Sequence, residues 1–271
     1  MINAGRYMRR IVLFFVAIAL GFNLMLPLGA ALTTSGGVAT YGSSVITASS
    51  TTVIFVYPDT AGTPGTAPAP GKPDNLYPAL FTDWVALGIP IGAANNPQYE
   101  TVDTSTVPPL SVDPLTGQPG ASTSGMPIVT VGGVLVHSQV YYLEKVALIS
   151  PVYYDEGAGN RYFKLRAGGT IIAGATMPLS DLGTTHDYFV IYTCVGMSGT
   201  IPGPGNTYYV FYGYHYRGSQ AATHLLLNWI QTAGALASKT GSYYVYEWTD
   251  TNSDGIVNPS PTDTYTLVAS G

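Results

Sequence analysis

Charged residues are scarce in this 271-residue sequence. Asp, Glu, Lys and Arg make up 9% of its residues, whereas 46% are hydrophobic; in average globular proteins roughly a quarter of the residues are charged. Because net charge keeps copies of a protein apart, a surface this poor in charge favours contact with neighbouring protein. The net charge is -5, and no cluster of Lys and Arg follows residue 10. The sequence therefore argues against a nucleic-acid partner.

Cysteine is also scarce, since the chain has one, Cys194. A single cysteine excludes a disulfide within the chain. It lies in the apolar run "YFVIYTCVG", which predicts a buried thiol in a strand rather than a nucleophile.

Groups that would indicate catalysis are few and scattered. None of the histidines shares a spacing that predicts a metal site on one strand or helix. No serine stands in a nucleophile elbow. The acidic residues could pair as acid and base, but nothing in the sequence brings two of them together. We therefore expect no enzymatic activity. The residues weighed are His137, His186, His215, His224, Glu144, Asp155, Glu156 and Glu247.

The N-terminus has the pattern of an export signal. Arg6, Arg9 and Arg10 precede twelve apolar residues, and small residues follow at Gly29–Ala31. This order predicts a signal peptide over residues 1–31, cleaved after Ala31, and places the protein outside the cell or on its surface. An uncleaved membrane anchor is the alternative. In either case the signal segment would be the chain's only contact with the membrane.

The rest of the chain changes character near residue 126. Residues 32–57 form an N-terminal segment that ends in a predicted strand, Thr52–Tyr57. Residues 58–125 are loops rich in Pro, Gly, Thr and Ser with one short apolar piece. From 126 to 271, apolar and β-branched runs follow one another closely and predict a globular domain. The run "YYLEKVALI" fits either a strand or a helix.

One main helix is predicted in that domain, at about 219–236, with Ser219 as its N-cap. Strands on either side of the helix indicate one crossover unit against a mostly β body. The predicted fold class is α+β, mostly β, with a sheet or sandwich-like body. The apolar face of the helix comprises Ala222, Leu225, Leu226, Trp229, Ile230 and Ala233.

The stretch "DTNSDGIVN" near the C-terminus has the spacing of a calcium loop. Asp250 would be position one, and Gly255, at position six, would allow the sharp turn. Val257 would anchor the loop to the core. Pro261 stands at position twelve, where an acid is expected, and Asp263 comes two residues later. A polar turn whose side chains cap their own backbone is the alternative. Because strands flank the loop, a bound ion would have a structural role. The candidate ligands are Asp250, Asn252, Asp254, Ile256, Asn258 and Asp263.

Three motifs follow one another in the second half of the chain. They are "PIVTVGG" with its glycine pair, "YYVFYGYHYRGSQAATHLLLNWI" with an Ala-rich helix, and "YYVYEWTDTNSDGIV" with an aromatic strand entering the Asp/Asn loop. In this order they resemble archaeal surface-layer-like proteins of the cell envelope. The resemblance covers roughly residue 112 to the end. It implies an exported envelope protein and no enzyme.

These observations together favour a cell-surface structural protein that binds copies of itself or other surface proteins. A layer, a sheath and a filament remain open, and in a filament residues 49–57 would add as a strand to the next subunit. The alternative is a secreted ligand- or glycan-binding module. In that reading, aromatic rings would stack on sugars; they are Tyr208, Tyr209, Tyr212, Tyr214 and Tyr216.

Overall fold

Two β-sheets form the framework of the protein in its computed structural model. The structure describes residues 37–39, 54–57, 98–99, 127–135, 137–195 and 207–271. All of these belong to one unit, Thr33–Gly271. The predicted signal peptide and most of the loop-rich segment 58–125 lie outside the described residues. The α+β, mostly β fold class is confirmed.

Among the described residues, seven strands form the main sheet and three form a separate small sheet. The order of strands is β10-β9-β7-β8-β3-β1-β2 in the main sheet and β4-β5-β6 in the small one. The strands are β1 (Ile54–Tyr57), β2 (Gln98–Tyr99), β3 (Pro127–Val131), β4 (Val152–Gly157), β5 (Asn160–Leu165), β6 (Ile171–Pro178), β7 (His186–Val195), β8 (Thr207–Gly213), β9 (Tyr243–Thr249) and β10 (Thr264–Ser270).

The main sheet is parallel in one half and antiparallel in the other. Strands β2, β1, β3 and β8 pair in parallel, whereas β8, β7, β9 and β10 pair antiparallel. Strand β7 is antiparallel to both β8 and β9, so β8 and β9 run parallel on either side of it. The helix between β8 and β9 therefore forms the predicted crossover unit.

That helix, α2 (Tyr216–Gln231), begins and ends earlier than predicted. Its N-cap position is His215 rather than Ser219. The earlier start is possible because a carboxylate on β7 caps the first turn, as described below. Four of the six residues predicted on the apolar face are buried and Ile230 is partly buried. Ala233 lies beyond the helix and is exposed.

The ambiguous run "YYLEKVALI" is helical at its start. A short helix α1 (Ser138–Tyr141) continues into one π-helical turn (Tyr142–Val146). π-Helical turns are rare and are frequently found at functional sites.

Both faces of the main sheet are covered at its central strands β7, β8 and β9. Helix α2 packs on one face, against side chains such as Phe189, Phe211 and Trp248. The small sheet and the π-helical turn pack on the other face, against Val190, Tyr192 and Tyr212. Because both faces are buried, β7 and β8 are almost continuously apolar, as central strands covered on both sides are. Cys194 is buried in this second core, as predicted, and burial raises the pKa of its thiol.

Among the described residues, no helix is long and apolar enough to cross a membrane.

Candidate functional site

The Asp/Asn loop, residues 250–263, connects the antiparallel strands β9 and β10 at one edge of the main sheet. Thr249 pairs with Thr264 in the register of the two strands, so the loop closes directly on the end of the ladder. The prediction that strands rather than helices flank the loop is confirmed. Val257 is 3% exposed and packs in the α2-side core, as predicted for the residue that anchors the loop.

Asp250 organises the first half of the loop. Its Oδ1 accepts the backbone N–H of Ser253 at 2.7 Å, and its Oδ2 accepts that of Gly255 at 2.8 Å. Its own backbone N–H donates to the carbonyl of Thr185, next to β7. Ser253 and Gly255 both have positive φ angles, of 61° and 74°. The carboxylate therefore compensates the backbone N–H groups of a tight, partly left-handed turn.

The exposed side chains of the loop bind one another. Asp254 Oδ1 accepts the Ile256 N–H at 2.8 Å, and its Oδ2 accepts amide hydrogens from Asn252 at 2.8 Å and Asn258 at 3.0 Å. Asn252 Oδ1 in turn accepts the Asp254 N–H. The hydrogen bond from Ile256 is the largest cause that lowers the pKa of Asp254. Ile256 is 59% exposed, and its carbonyl accepts the Asn258 amide at 3.2 Å.

Asp263 is brought back to the loop by the turn through Pro261. It is 1% exposed. Its Oδ2 accepts the Trp248 indole N–H at 2.9 Å and the Asn258 N–H at 2.7 Å, and its Oδ1 accepts the Thr251 N–H at 3.4 Å. Asp263 therefore joins both ends of the loop to the core tryptophan.

The chemistry of this oxygen set fits a hard cation such as calcium. Each carboxylate oxygen that accepts one N–H retains a further lone pair, and the two Asn side chains would supply oxygen after rotation of the amide. Against this fit, Arg217 Nε donates to the Gly255 carbonyl at 3.3 Å and so places a positive charge beside the loop. In the arrangement described here, the six candidate residues form a self-capped polar turn.

Away from the loop, the carboxylate of Glu144 is fully buried in the π-helical turn. Its Oε1 accepts hydroxyl hydrogens from Tyr212 at 2.7 Å and Tyr192 at 3.1 Å, and its Oε2 accepts the Tyr154 N–H at 2.9 Å. Burial raises its pKa from 4.5 to about 7, and these hydrogen bonds and Lys145 lower it only in part. Glu144 thus joins the π-helical turn to β4, β7 and β8.

Arg166 ties the end of the π-helical turn to the small sheet. Its Nη2 donates to the backbone carbonyl of Glu144 at 2.7 Å and to Ser150 Oγ at 3.0 Å, and its guanidinium stacks on Tyr153. The sequence contained one signal for this cluster: Glu144 and Lys145 are the charged residues inside an otherwise apolar run.

Another buried carboxylate, Asp187, caps helix α2 from β7. Its Oδ2 accepts the backbone N–H of His215 at 3.0 Å and of Gly218 at 2.8 Å. Burial raises its pKa. Gly218 is required at this contact because a Cβ there would lie 2.6 Å from Asp187 Oδ2. Because Asp187 and Gly218 are 31 residues apart in sequence, no local pattern of residues predicts this cap.

The histidines do not form a common site among the described residues. His186 Nε2 lies 3.6 Å from Asp181, and His215 Nδ1 lies 3.7 Å from Asp187. His137 is buried, and His224 lies on α2. No three His, Cys, Asp or Glu side chains in the described ranges are arranged to hold a metal ion.

Comparison with known proteins gives no match: no family model, no curated protein and no solved structure is significantly similar to this chain.

Proposed function

We propose that this protein is an exported structural subunit of an archaeal cell surface that associates with copies of itself. The observation that carries the proposal is the scarcity of charge, 9% of residues, in a chain that nevertheless builds a two-sided core. Little electrostatic repulsion then opposes close packing of identical molecules. The order of sequence motifs similar to archaeal surface-layer-like proteins supports the same assignment.

Calcium would stiffen this subunit at the Asp/Asn loop. The ligands would be Asp250, Asn252, Asp254, the Ile256 carbonyl and Asn258, with Asp263 holding the loop from the core side. When bound, the ion supplies positive charge that lets these oxygens approach one another. A filled loop would hold β9 and β10 together at the edge of the main sheet.

The filament version, in which residues 49–57 join the next subunit, has one constraint. Ile54–Tyr57 pairs here with β2 and β3 of its own chain. Strand addition between subunits would therefore require β1 to leave this position, as in an exchange of identical elements between copies.

The glycan-binding alternative has less support. Of the five tyrosines that would stack on sugars, Tyr208, Tyr209 and Tyr212 are buried in the two cores. Tyr214 donates its hydroxyl hydrogen to the Ala175 carbonyl and packs on Phe163. Of the five, Tyr216 alone has an exposed side chain. These side chains therefore do not form a shared stacking platform.

Electron microscopy of the purified, exported protein tests the proposal. We expect ordered sheets or filaments after dialysis against calcium, and their loss or disorder in a chelator. Ordered assemblies in both conditions would retain self-association and reject the calcium role. Single particles in both conditions, at every concentration tried, would reject a structural self-associating function.

A further inference from the structure

The two edge strands of the main sheet differ in length and therefore in the backbone that a second strand could pair with. One is β2, which has two residues, and the other is β10, which has seven. Among the described residues no strand pairs with the outer edge of β10. Its sequence, "TYTLVAS", contains no charged residue and no proline.

Natural proteins normally protect such an edge. Charged side chains, proline, short strand length and bulges are the usual means. Strand β10 has one of these, an irregularity in pairing between Leu267 and Ala269, whereas Thr264 to Leu267 pair with β9 in regular register. Among the residues that the structure describes, this edge is therefore left open to pairing.

The backbone and side chains of β10 are both suited to a second strand. Gly271 and Tyr243 exchange both backbone hydrogen bonds, so Ser270, one residue earlier, directs its N–H and C=O to the outer edge. Leu267 is 50% exposed although it lies in the middle of the strand. It faces the α2 side, opposite Tyr246 in register, but the helix does not cover it.

We propose that β10 pairs antiparallel with β10 of a second copy around a two-fold axis. The occupant is identified by chemistry: an antiparallel strand edge is complementary to its own copy, and an uncharged strand faces its copy without like-charge repulsion. The sheet would continue through both molecules, with seven strands from each. A two-fold contact closes on itself, so the resulting dimer would be the unit from which a layer or filament is built by a different contact. This inference rests on the proposed self-association.

The test uses one chemical change at two places. Leu267→Lys puts a positive charge on the exposed face of the edge strand, where the second copy's strand would lie alongside, and Leu182→Lys makes the same change at a side chain that is 70% exposed in the loop before β7. The dimer dissociation constant of the purified, exported protein is measured by sedimentation velocity. We expect Leu267→Lys to weaken the dimer at least about tenfold and Leu182→Lys to leave it unchanged. Thermal unfolding of each variant checks that it is folded.

Opposite charges provide the rescue. An equimolar mixture of Leu267→Lys and Leu267→Glu proteins should form mixed dimers, which native mass spectrometry resolves, while each alone stays mainly monomeric. If Leu267→Lys dimerises like the unchanged protein, the β10 contact is wrong and self-association uses another surface. If the unchanged protein is monomeric throughout, both the contact and the proposed function fail.

Discussion

The buried carboxylate of Glu144 and the exposed carboxylate of Asp254, in the Asp/Asn loop, both accept several hydrogen bonds but lie in opposite surroundings. In the core, loss of water outweighs the hydrogen bonds and raises the pKa of Glu144 to about 7. At the surface, the hydrogen bonds prevail and lower the pKa of Asp254. The number of donors therefore does not decide the protonation state; access to water does.

Removal of the buried carboxylate should have the largest effect. Glu144→Ala leaves two tyrosine hydroxyls and the Tyr154 N–H without their acceptor in a closed core. We expect the free energy of unfolding to fall by about 3–5 kcal/mol, because each unsatisfied buried polar group costs about 1–3 kcal/mol. Urea unfolding at pH 5 measures it.

Glu144→Gln is the matched variant. Its amide oxygen can accept the Tyr154 N–H while its NH2 donates to the two tyrosine oxygens, so all three residues keep a hydrogen bond to position 144 and only the tyrosine hydroxyl hydrogens lose their acceptor. We expect a loss well under half of that in Glu144→Ala. Equal losses in the two variants would show that shape or charge, and not hydrogen bonding, is what Glu144 supplies.

The pH dependence of stability should be the next largest effect. The pKa of Glu144 is about 7 in the folded chain against 4.5 ordinarily, so between these values the folded state holds a proton that the unfolded state has released. The stabilisation is therefore complete below pH 4.5 and is lost as the pH rises to 7. It amounts to about 3 kcal/mol.

Comparison with Glu144→Gln isolates this contribution, because Asp187, whose pKa is also raised by burial, is common to both proteins. Denaturant unfolding at several pH values between 4 and 8 gives the two curves. We expect the difference in unfolding free energy between the original protein and Glu144→Gln to shrink with rising pH. A constant difference would contradict the raised pKa.

The elements that the sequence predicted are those that local patterns of residues determine. The strands β7, β8, β9 and β10, the crossover helix and the position of the Asp/Asn loop follow from local patterns of apolar and turn residues. In the small sheet, the runs "NRYFKLRAG" and "TIIAGA" predict the strands β5 and β6, but nothing predicts β4, because "VYYDEG" lacks regular alternation of apolar and polar residues.

The sequence could not predict contacts between distant segments. Glu144 and Tyr212 are 68 residues apart, and Asp187 and Gly218 are 31 apart. The predicted start of helix α2 was wrong for this reason, because the group that caps it is Asp187 on β7 and not the nearby Ser219. The parallel pairing of β3 with β8 likewise depends on non-local topology rather than on either strand's own sequence.

The smallest effects on the free energy of unfolding are expected in the Asp/Asn loop, where the buried carboxylate should contribute more than the exposed one. Asp263→Ala leaves the buried Trp248 indole N–H and the Asn258 N–H without an acceptor, so we expect a loss of about 1–3 kcal/mol in unfolding free energy. Asp254→Ala removes an exposed carboxylate and should change it by less than about 0.5 kcal/mol in a chelator. Thermal and urea unfolding of both variants in EDTA measure the two losses.

If Asp254→Ala were as costly as Asp263→Ala, the exposed half would be as important to the fold as the half tied to the core. The distinction between buried and exposed carboxylates would then not extend to the loop.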